Sequence, residues 1–184
     1  MKEIRMHGRG GQGVVKSAQV IVKTVVAAGG YAHFIPFFGV ERKGSPVYGF
    51  LRIDDKDINL KCQVYEPEIL IILDDTLLDM KATFEGLRPG GQVIINTTKT
   101  LDQLPIPEAA GQVALVDATA IALEHLGRNI PNTAMLGAFA KTSALVDWPG
   151  LQEQIKTAFG VPNVTAALAA YDAVVIKTFK GGQK

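Results

Sequence analysis

The stretch that decides the fold is the glycine-rich run Gly8-Arg9-Gly10-Gly11-Gln12-Gly13 near the N-terminus. Residues 3–7 before it predict a short β-strand. Residues 14–28 after it predict an α-helix, because apolar side chains recur there at helical spacing. A strand, a tight glycine turn and a helix in this order are typical of α/β proteins built on a largely parallel sheet.

The rest of the chain continues to alternate strand and helix patterns. Residues 47–53 and 58–62 read as an antiparallel hairpin, so the sheet is expected to be mixed. We therefore expect a three-layer α/β/α sandwich with a Rossmann-like, mostly parallel sheet, an antiparallel hairpin and a helical C-terminal part. The other predicted strands are 31–35, 69–73, 92–96 and 112–117, and the other predicted helices are 76–86, 119–126, 132–145, 149–159 and 163–179.

The composition limits the class of protein. The 184 residues carry a net charge of +1, which disfavours a nucleic-acid or membrane-surface binder, since such proteins need a clear basic excess. The single cysteine, Cys62, excludes an internal disulfide or a cysteine-based metal cluster, and we read it as a small buried strand residue. The sequence has neither a signal peptide pattern nor a membrane-length apolar run. We expect a soluble, cytoplasmic protein in which residues 1–184 form one domain.

The near-zero net charge hides an asymmetry between the two parts of the chain. Residues 1–62 hold ten Lys and Arg against five Asp and Glu, whereas residues 63–184 hold nine against thirteen. The excess of positive charge in the first part indicates either an anionic, phosphate-bearing ligand or simply an uneven solvated surface.

The glycine run has the chemistry of a phosphate site. Its glycines match G-x-G-x-x-G and would let backbone N–H groups approach a phosphate at the start of a helix. Arg9 and Lys16 would add full positive charges. Two other readings stay open, a tight turn without a ligand and a contact with another protein.

The known nucleotide motifs match only in part. An NAD site needs an acidic residue about 20 residues after the glycines, but the next acid here is Glu41, and the nearby His33 is a poor substitute. NADP is not excluded by this argument. The P-loop motif fails because Val14-Val15 follow Gly13 where Lys-Ser/Thr is required. A stand-alone NAD(P)-dependent oxidoreductase therefore remains an alternative.

A second loop, residues 37–46, is dense in charge and in turn-forming residues. It contains Glu41, Arg42, Lys43 and Gly44. The glycine run follows the first predicted strand, and this loop follows the second. Because loops at the carboxyl ends of strands line the ligand crevice of an α/β sheet, both loops are expected to border the same crevice. A solvated charged turn is the simpler alternative.

The two loops together resemble the gamma subunit of 2-oxoacid:ferredoxin oxidoreductases, pyruvate synthase in particular. The resemblance extends to further segments in the same order along residues 7 to about 140. The matching segments are residues 7–13, 38–46, 52–53, 67–68, 73–78 and 132–138.

The resemblance implies a role in a complex that converts a 2-oxoacid, coenzyme A (CoA) and oxidised ferredoxin into acyl-CoA, CO₂ and reduced ferredoxin. It implies that thiamine diphosphate, Mg and 4Fe-4S clusters belong to partner subunits of the alpha, beta and delta types, and that the isolated chain is inactive. The gamma subunit would help to hold CoA and close the active site; a purely structural assembly subunit is the other possibility. No catalytic or metal-binding residue is assigned, and the expected CoA-side residues are Gly8, Arg9, Gly10, Gly11, Gln12, Gly13, Glu41, Arg42, Lys43 and Gly44.

Several polar residues stand directly before predicted helices. Asp74, Asp75, Asp117 and Asn132 are therefore read as helix caps, since their side chains can accept from unpaired N–H groups. The alternative for the aspartates is a contact with a ribose or a metal, and for Asn132 a partner interface.

Overall fold

The computed structural model describes residues 1–37 and 44–179. Its sheet has seven strands in the spatial order β2-β3-β1-β4-β5-β6-β7. Strands β1, β4, β5 and β6 are parallel, whereas β3 is antiparallel to both β1 and β2, and β7 is antiparallel to β6. The strands are β1 Lys2–Arg9, β2 Tyr31–Phe37, β3 Pro46–Asp54, β4 Ile69–Ile72, β5 Gly91–Asn96, β6 Ala110–Val116 and β7 Val175–Thr178.

Long helices cover one face of this sheet. A continuous core on that face joins Ile4 and Met6 of β1 to Ile21 of α1 and Phe139 of α4. The opposite face has a smaller core over β4, β5 and β6, which Leu78 and the short helical turn at Leu101–Gln103 help to cover. The predicted α/β class with a mixed, mostly parallel sheet is confirmed. The helices are α1 Val14–Ala27, α2 Lys81–Phe84, α3 Ala118–Leu126, α4 Asn132–Ser143, α5 Trp148–Phe159 and α6 Val161–Ala173.

No helix in the described part of the chain is long and apolar enough to cross a membrane.

The predicted hairpin of 47–53 with 58–62 is wrong. The hairpin consists of β2 and β3, and residues 58–62 form no strand. Both edges of β3 are occupied, one by β1 and the other by β2, so no edge is left for a further strand. Instead the buried guanidinium of Arg52, only 1% exposed, donates to the carbonyls of Cys62 (2.8 Å) and Gln63 (3.0 Å) and holds that segment over the sheet face.

The prediction that Cys62 is buried in a strand is wrong for the same reason. It lies in this irregular segment and is exposed.

The end of the last helix was also predicted wrongly. Helix α6 ends at Ala173, and β7 follows it, where a helix over 163–179 was expected. Val174 is already extended, with φ −60° and ψ 128°. The next four residues, Val175-Ile176-Lys177-Thr178, include three β-branched residues and pair with the otherwise free edge of β6.

The predicted helix at 76–86 is likewise shorter in the structure. A 3₁₀ turn at Asp75–Leu77 and the four-residue α2 replace it.

Candidate ligand site at the glycine loop

The glycine loop connects the carboxyl end of β1 to α1, as the sequence predicted. Gly13 stands at the N-cap of α1 with φ +87°, in the left-handed region that favours glycine. A Cβ at this position would lie 2.8 Å from Nδ2 of Asn132. Gly13 therefore allows the start of α1 to approach the start of α4 closely.

The second loop meets the glycine loop where the structure describes it. The N–H of Gly10 donates to the carbonyl of Ser45 (2.9 Å), and the N–H of Gly44 donates to the carbonyl of Gly10 (3.1 Å). Gly44 is thus next to the glycine loop. The other three residues expected on the second loop, Glu41, Arg42 and Lys43, lie outside the described residues.

One side of the glycine loop, the anchored side, is held by side-chain hydrogen bonds within the chain. The guanidinium of Arg9 donates to Oγ1 of Thr76 (2.6 Å) and to the carbonyl of Gly44 (3.1 Å), and its Nε lies 3.4 Å from Oδ2 of Asp74. Gln12 accepts from the N–H of Arg9 (2.7 Å) and donates to Asp74 (2.7 Å). These bonds hold the loop in place, and the guanidinium of Arg9, which the sequence analysis placed on the CoA side, takes part in them.

Asp74 is ionised in this arrangement. Burial by itself would raise the pKa of its carboxyl group, but hydrogen bonds from Thr76 and Gln12 and the charge of Arg9 together lower that pKa below its usual value. The Asp74 carboxylate also accepts from the N–H of Thr76 (3.1 Å), which confirms its predicted role as a cap.

The predictions for the other helix caps have different outcomes. Asp117 caps α3 by accepting from the N–H of Ala120 (2.8 Å), as predicted. The cap prediction for Asp75 is wrong, because Asp75 is the first residue of the 3₁₀ turn whose N-cap is Asp74. Its carboxylate accepts from Thr97 (2.7 Å) and pairs with Lys99 (3.3 Å).

The cap prediction for Asn132 is wrong. Asn132 is the first residue of α4, after the N-cap Pro131, and its side-chain oxygen accepts only from the neighbouring N–H of Thr133 among the described residues. Its side chain packs against Gly13, so the space beside the glycine loop determines its orientation.

The opposite side of the glycine loop borders a cavity of about 600 Å³, here called the glycine-loop cavity. The N-terminal ends of α1, α4 and α6 converge on it, together with the C-terminal ends of α3 and α5. Its lining includes Gly11, Gly13, Lys16, His125, Arg128, Asn132 and Asn163.

Although the amide of Asn163 donates to the carbonyl of Phe159 (2.9 Å), several other donors around the glycine-loop cavity have no partner in the described part of the chain. This holds for the backbone N–H groups of Gly11 and Gly13, and for Nδ2 of Asn132, whose residue is only 5% exposed. Lys16 and Arg128 likewise form no ion pair with residues 1–37 and 44–179. No carboxylate of these residues lines the cavity.

This arrangement suits an anion. Each helix N-terminus carries a partial positive charge of about half an elementary charge, and the three N-termini at the cavity outnumber the two C-termini, those of α3 and α5. Lys16 and Arg128 add two full charges. A phosphate group can therefore accept from backbone and amide donors here while two cations neutralise it.

Arg128 and Asn132 were not assigned to a ligand from the sequence. Helix-start signals are visible at Pro131 and Pro162. These two helix starts come close to Gly13 only through tertiary packing, so no local sequence pattern indicates that they do.

A second, smaller crevice of about 400 Å³ lies at the carboxyl ends of β4, β5 and β6. It is lined by Asp74, Asp75 and Asp117, whose hydrogen bonds and two ion pairs are described above. Asn96 also borders it and is bonded to Thr119 (2.8 Å). In the described ranges no group of three His, Cys, Asp or Glu side chains is placed to hold a metal ion.

Comparison with known proteins identifies the family. The family model described as pyruvate ferredoxin/flavodoxin oxidoreductase matches residues 3–175. The common gamma subunit of the pyruvate/ketoisovalerate oxidoreductases of Thermococcus kodakarensis is 47% identical, over 96% of this chain and 98% of its own length. The pyruvate synthase subunit PorC of Methanocaldococcus jannaschii is 45% identical, over 96% and 99%.

A solved structure gives the same result. The crystal structure of pyruvate oxidoreductase subunit PORC from Thermotoga maritima matches with a TM-score of 0.84 and 33% identity, over 96% of this chain and 98% of that one. The chain therefore belongs to the pyruvate ferredoxin/flavodoxin oxidoreductase family. Within this family it is a gamma subunit, one part of a multi-subunit oxidoreductase, as the resemblance of its loops predicted.

Proposed function

We propose that this chain supplies the CoA-phosphate site of a 2-oxoacid:ferredoxin oxidoreductase, with pyruvate as the 2-oxoacid. The complex would convert pyruvate, CoA and oxidised ferredoxin into acetyl-CoA, CO₂ and reduced ferredoxin. The glycine-loop cavity carries this proposal, because it brings unpaired donors and two cations together with no carboxylate from the described residues.

The chemistry of CoA fits these groups. CoA carries a pyrophosphate and a 3′-phosphate, and such groups bind where backbone N–H groups at helix N-termini meet basic side chains. The N–H groups of Gly11 and Gly13 and the amide of Asn132 would donate to phosphate oxygens. Lys16 and Arg128 would neutralise the charge.

The second loop would complete the site from the other side. Gly44 is bonded to Gly10, so the chain re-enters the described structure beside the glycine loop. We propose that Glu41, Arg42 and Lys43 help to close the active site over CoA. An Arg42→Glu variant should then raise the apparent KM for CoA and leave CoA-independent decarboxylation of the 2-oxoacid much less affected.

The redox chemistry would take place on partner subunits. A chain with one cysteine does not have the four thiolates that a 4Fe-4S cluster needs. We propose that alpha, beta and delta-type subunits hold thiamine diphosphate, Mg and the clusters and pass electrons to ferredoxin. The isolated chain, a single cytoplasmic domain over residues 1–184 in this proposal, would be inactive.

The topology argues against a stand-alone NAD(P) enzyme. In dinucleotide-binding folds the second strand in sequence lies beside the first. Here the antiparallel β3 separates β2 from β1. Fluorescence titration with NADH and NADPH tests this alternative, and we expect no binding.

The proposed site is tested with charge reversals in the assembled complex. Lys16→Glu and Arg128→Glu should each raise the KM for CoA by about tenfold or more, because each places a negative charge beside a phosphate. Lys23→Glu is the control, since Lys23 is an exposed lysine two turns further along α1. If both cavity variants keep the wild-type KM for CoA, the cavity is not the phosphate site.

A further inference from the structure

A groove lies on the sheet face opposite α1, on the far side from the glycine-loop cavity. Its volume is about 560 Å³, its floor is formed by β1 and β3, and its walls come from segments 63–66 and 77–86. We call it the aromatic groove. Its principal lining residues are Arg5, His7, Tyr48, Phe50, Tyr65 and Met80.

The aromatic groove exposes a continuous apolar surface. The ring of Tyr48 stacks on Phe37 with centroids 4.7 Å apart, and meets His7 at 5.9 Å and Phe50 at 5.8 Å. At its rim Tyr65 is 69% exposed and Met80 is 43% exposed. Aromatic residues and methionine are enriched in protein interfaces, and contiguous apolar patches mark interaction sites.

His7 gives the groove a hydrogen-bond donor without an acceptor. The residue is only 7% exposed, and its Nε2 accepts from Nε of Arg5 (3.0 Å). Burial, together with the charge of Arg5, lowers the pKa of His7 to about 3, so the ring is neutral near pH 7 and its proton lies on Nδ1. This Nδ1–H has no acceptor in the described part of the chain.

The charges around the groove define the occupant further. The single guanidinium, Arg5, is committed to the carbonyls of Thr83 (3.1 Å) and Glu85 (2.6 Å). Two exposed carboxylates line the groove: Glu66, which lies 3.7 Å from Nε of Arg88, and Glu85, which forms no ion pair with the described residues. An occupant that complements it needs an apolar side chain, a neighbouring positive charge and an exposed hydrogen-bond acceptor.

We propose that the aromatic groove receives another subunit of the oxidoreductase. The partner would insert an apolar side chain flanked by a basic residue, and its backbone carbonyl would accept from His7. This inference rests on the proposed function, because the complex supplies the partner. A second copy of this chain fits less well, since a symmetric contact would bring the carboxylates of Glu66 and Glu85 of both copies together.

The test uses full-length chains and the other subunits of the complex. Tyr65→Arg and Met80→Arg should each weaken binding of the gamma chain to the gamma-depleted complex by about tenfold or more, because each puts a positive charge where a basic partner residue is expected. Leu168→Arg on α6 is the matched control. Leu168 is apolar and 41% exposed, close to the 43% of Met80, but it lies outside the groove. It should bind as the wild type does.

Two further measurements test whether the aromatic groove is occupied by another subunit. Deuterium uptake in peptides covering 46–50 and 63–66 should fall on assembly and not on addition of CoA to the free chain. The free chain should be monomeric by light scattering. Protection by CoA alone, or a dimer that Tyr65→Arg dissociates, would overturn the choice of partner.

Failure of this inference is distinguishable from failure of the proposed function. If the wild-type chain does not bind the other subunits, the proposed function is contradicted. If the wild type and both groove variants assemble with equal affinity, only the aromatic groove is excluded as the docking surface.

Discussion

The two sides of the glycine loop differ in how their hydrogen-bond donors are used. On the anchored side, Arg9 and Gln12 donate to Asp74, Thr76 and Gly44. On the cavity side, the donors of Gly11, Gly13 and Asn132 have no acceptor in the described part of the chain. A phosphate on the cavity side would accept charge-assisted hydrogen bonds from these donors, whereas the donors on the anchored side are already in use. One side of the loop thus maintains its shape and the other is available to a ligand.

The largest expected effect on stability comes from a substitution of Gly13, which joins the anchored side and the cavity side of the glycine loop. Gly13→Ala should lower the free energy of unfolding by about 2–4 kcal/mol, because it forces an L-residue into φ +87° and pushes the new Cβ against Asn132. Gly11→Ala should lower the free energy of unfolding by only about 1–2 kcal/mol. Gly11 has φ +100°, but a Cβ at this position would have no neighbouring atom within 4 Å. Urea unfolding measures both. Equal losses would show that the approach to Asn132 is not tight.

A charge placed on the cavity side should act on CoA and spare the fold. Asn132→Asp keeps the shape of the side chain but replaces its amide donor by a carboxylate, so the KM for CoA should rise by about tenfold to thirtyfold. Asn129→Asp makes the same change on an exposed residue that borders the second crevice instead. The contrast fails if both variants change the KM equally.

The anchored side should respond in the opposite way. Arg9→Gln removes the bonds to Thr76 and Gly44 and should lower the free energy of unfolding by about 1 kcal/mol. The KM for CoA should stay unchanged in the assembled complex. A raised KM with unchanged stability would instead support the expectation from sequence, in which Arg9 binds the phosphate.

The smallest expected effect is a change in acid stability. The pKa of Asp74 is lowered in the folded chain, so the unfolded chain binds more protons in the usual carboxyl range. Its contribution to stability is therefore present above that range and is lost as the pH falls through it. Asp74→Asn should flatten this part of the stability curve relative to wild type. Parallel curves for the two proteins would contradict the role of Asp74.

Local sequence patterns predicted much of this architecture. The glycine turn, α1 and the strands β1, β4, β5 and β6 follow from glycine spacing and apolar runs, which report on local backbone and burial. Strand β7 and the β2–β3 hairpin depend on which sheet edges are free, and the segment beside Cys62 depends on the carbonyls that Arg52 binds. Those features arise from contacts between distant residues.

The same distinction between local patterns and distant contacts applies to the candidate site. The glycine loop and Lys16 were recognised because a strand–turn–helix unit encodes them locally. Arg128 and Asn132 join the site only because the starts of α4 and α6 pack beside α1. The contacts of Arg9 with Asp74 and Thr76 were not predicted, because both partners come from a segment more than 60 residues away.

The most direct test of CoA binding at the glycine loop is a structure of the assembled complex with CoA bound. We predict a CoA phosphate in the glycine-loop cavity, with oxygens within hydrogen-bond distance of the N–H groups of Gly11 and Gly13 and close to Lys16 and Arg128. CoA bound with all its phosphates outside this cavity would contradict it.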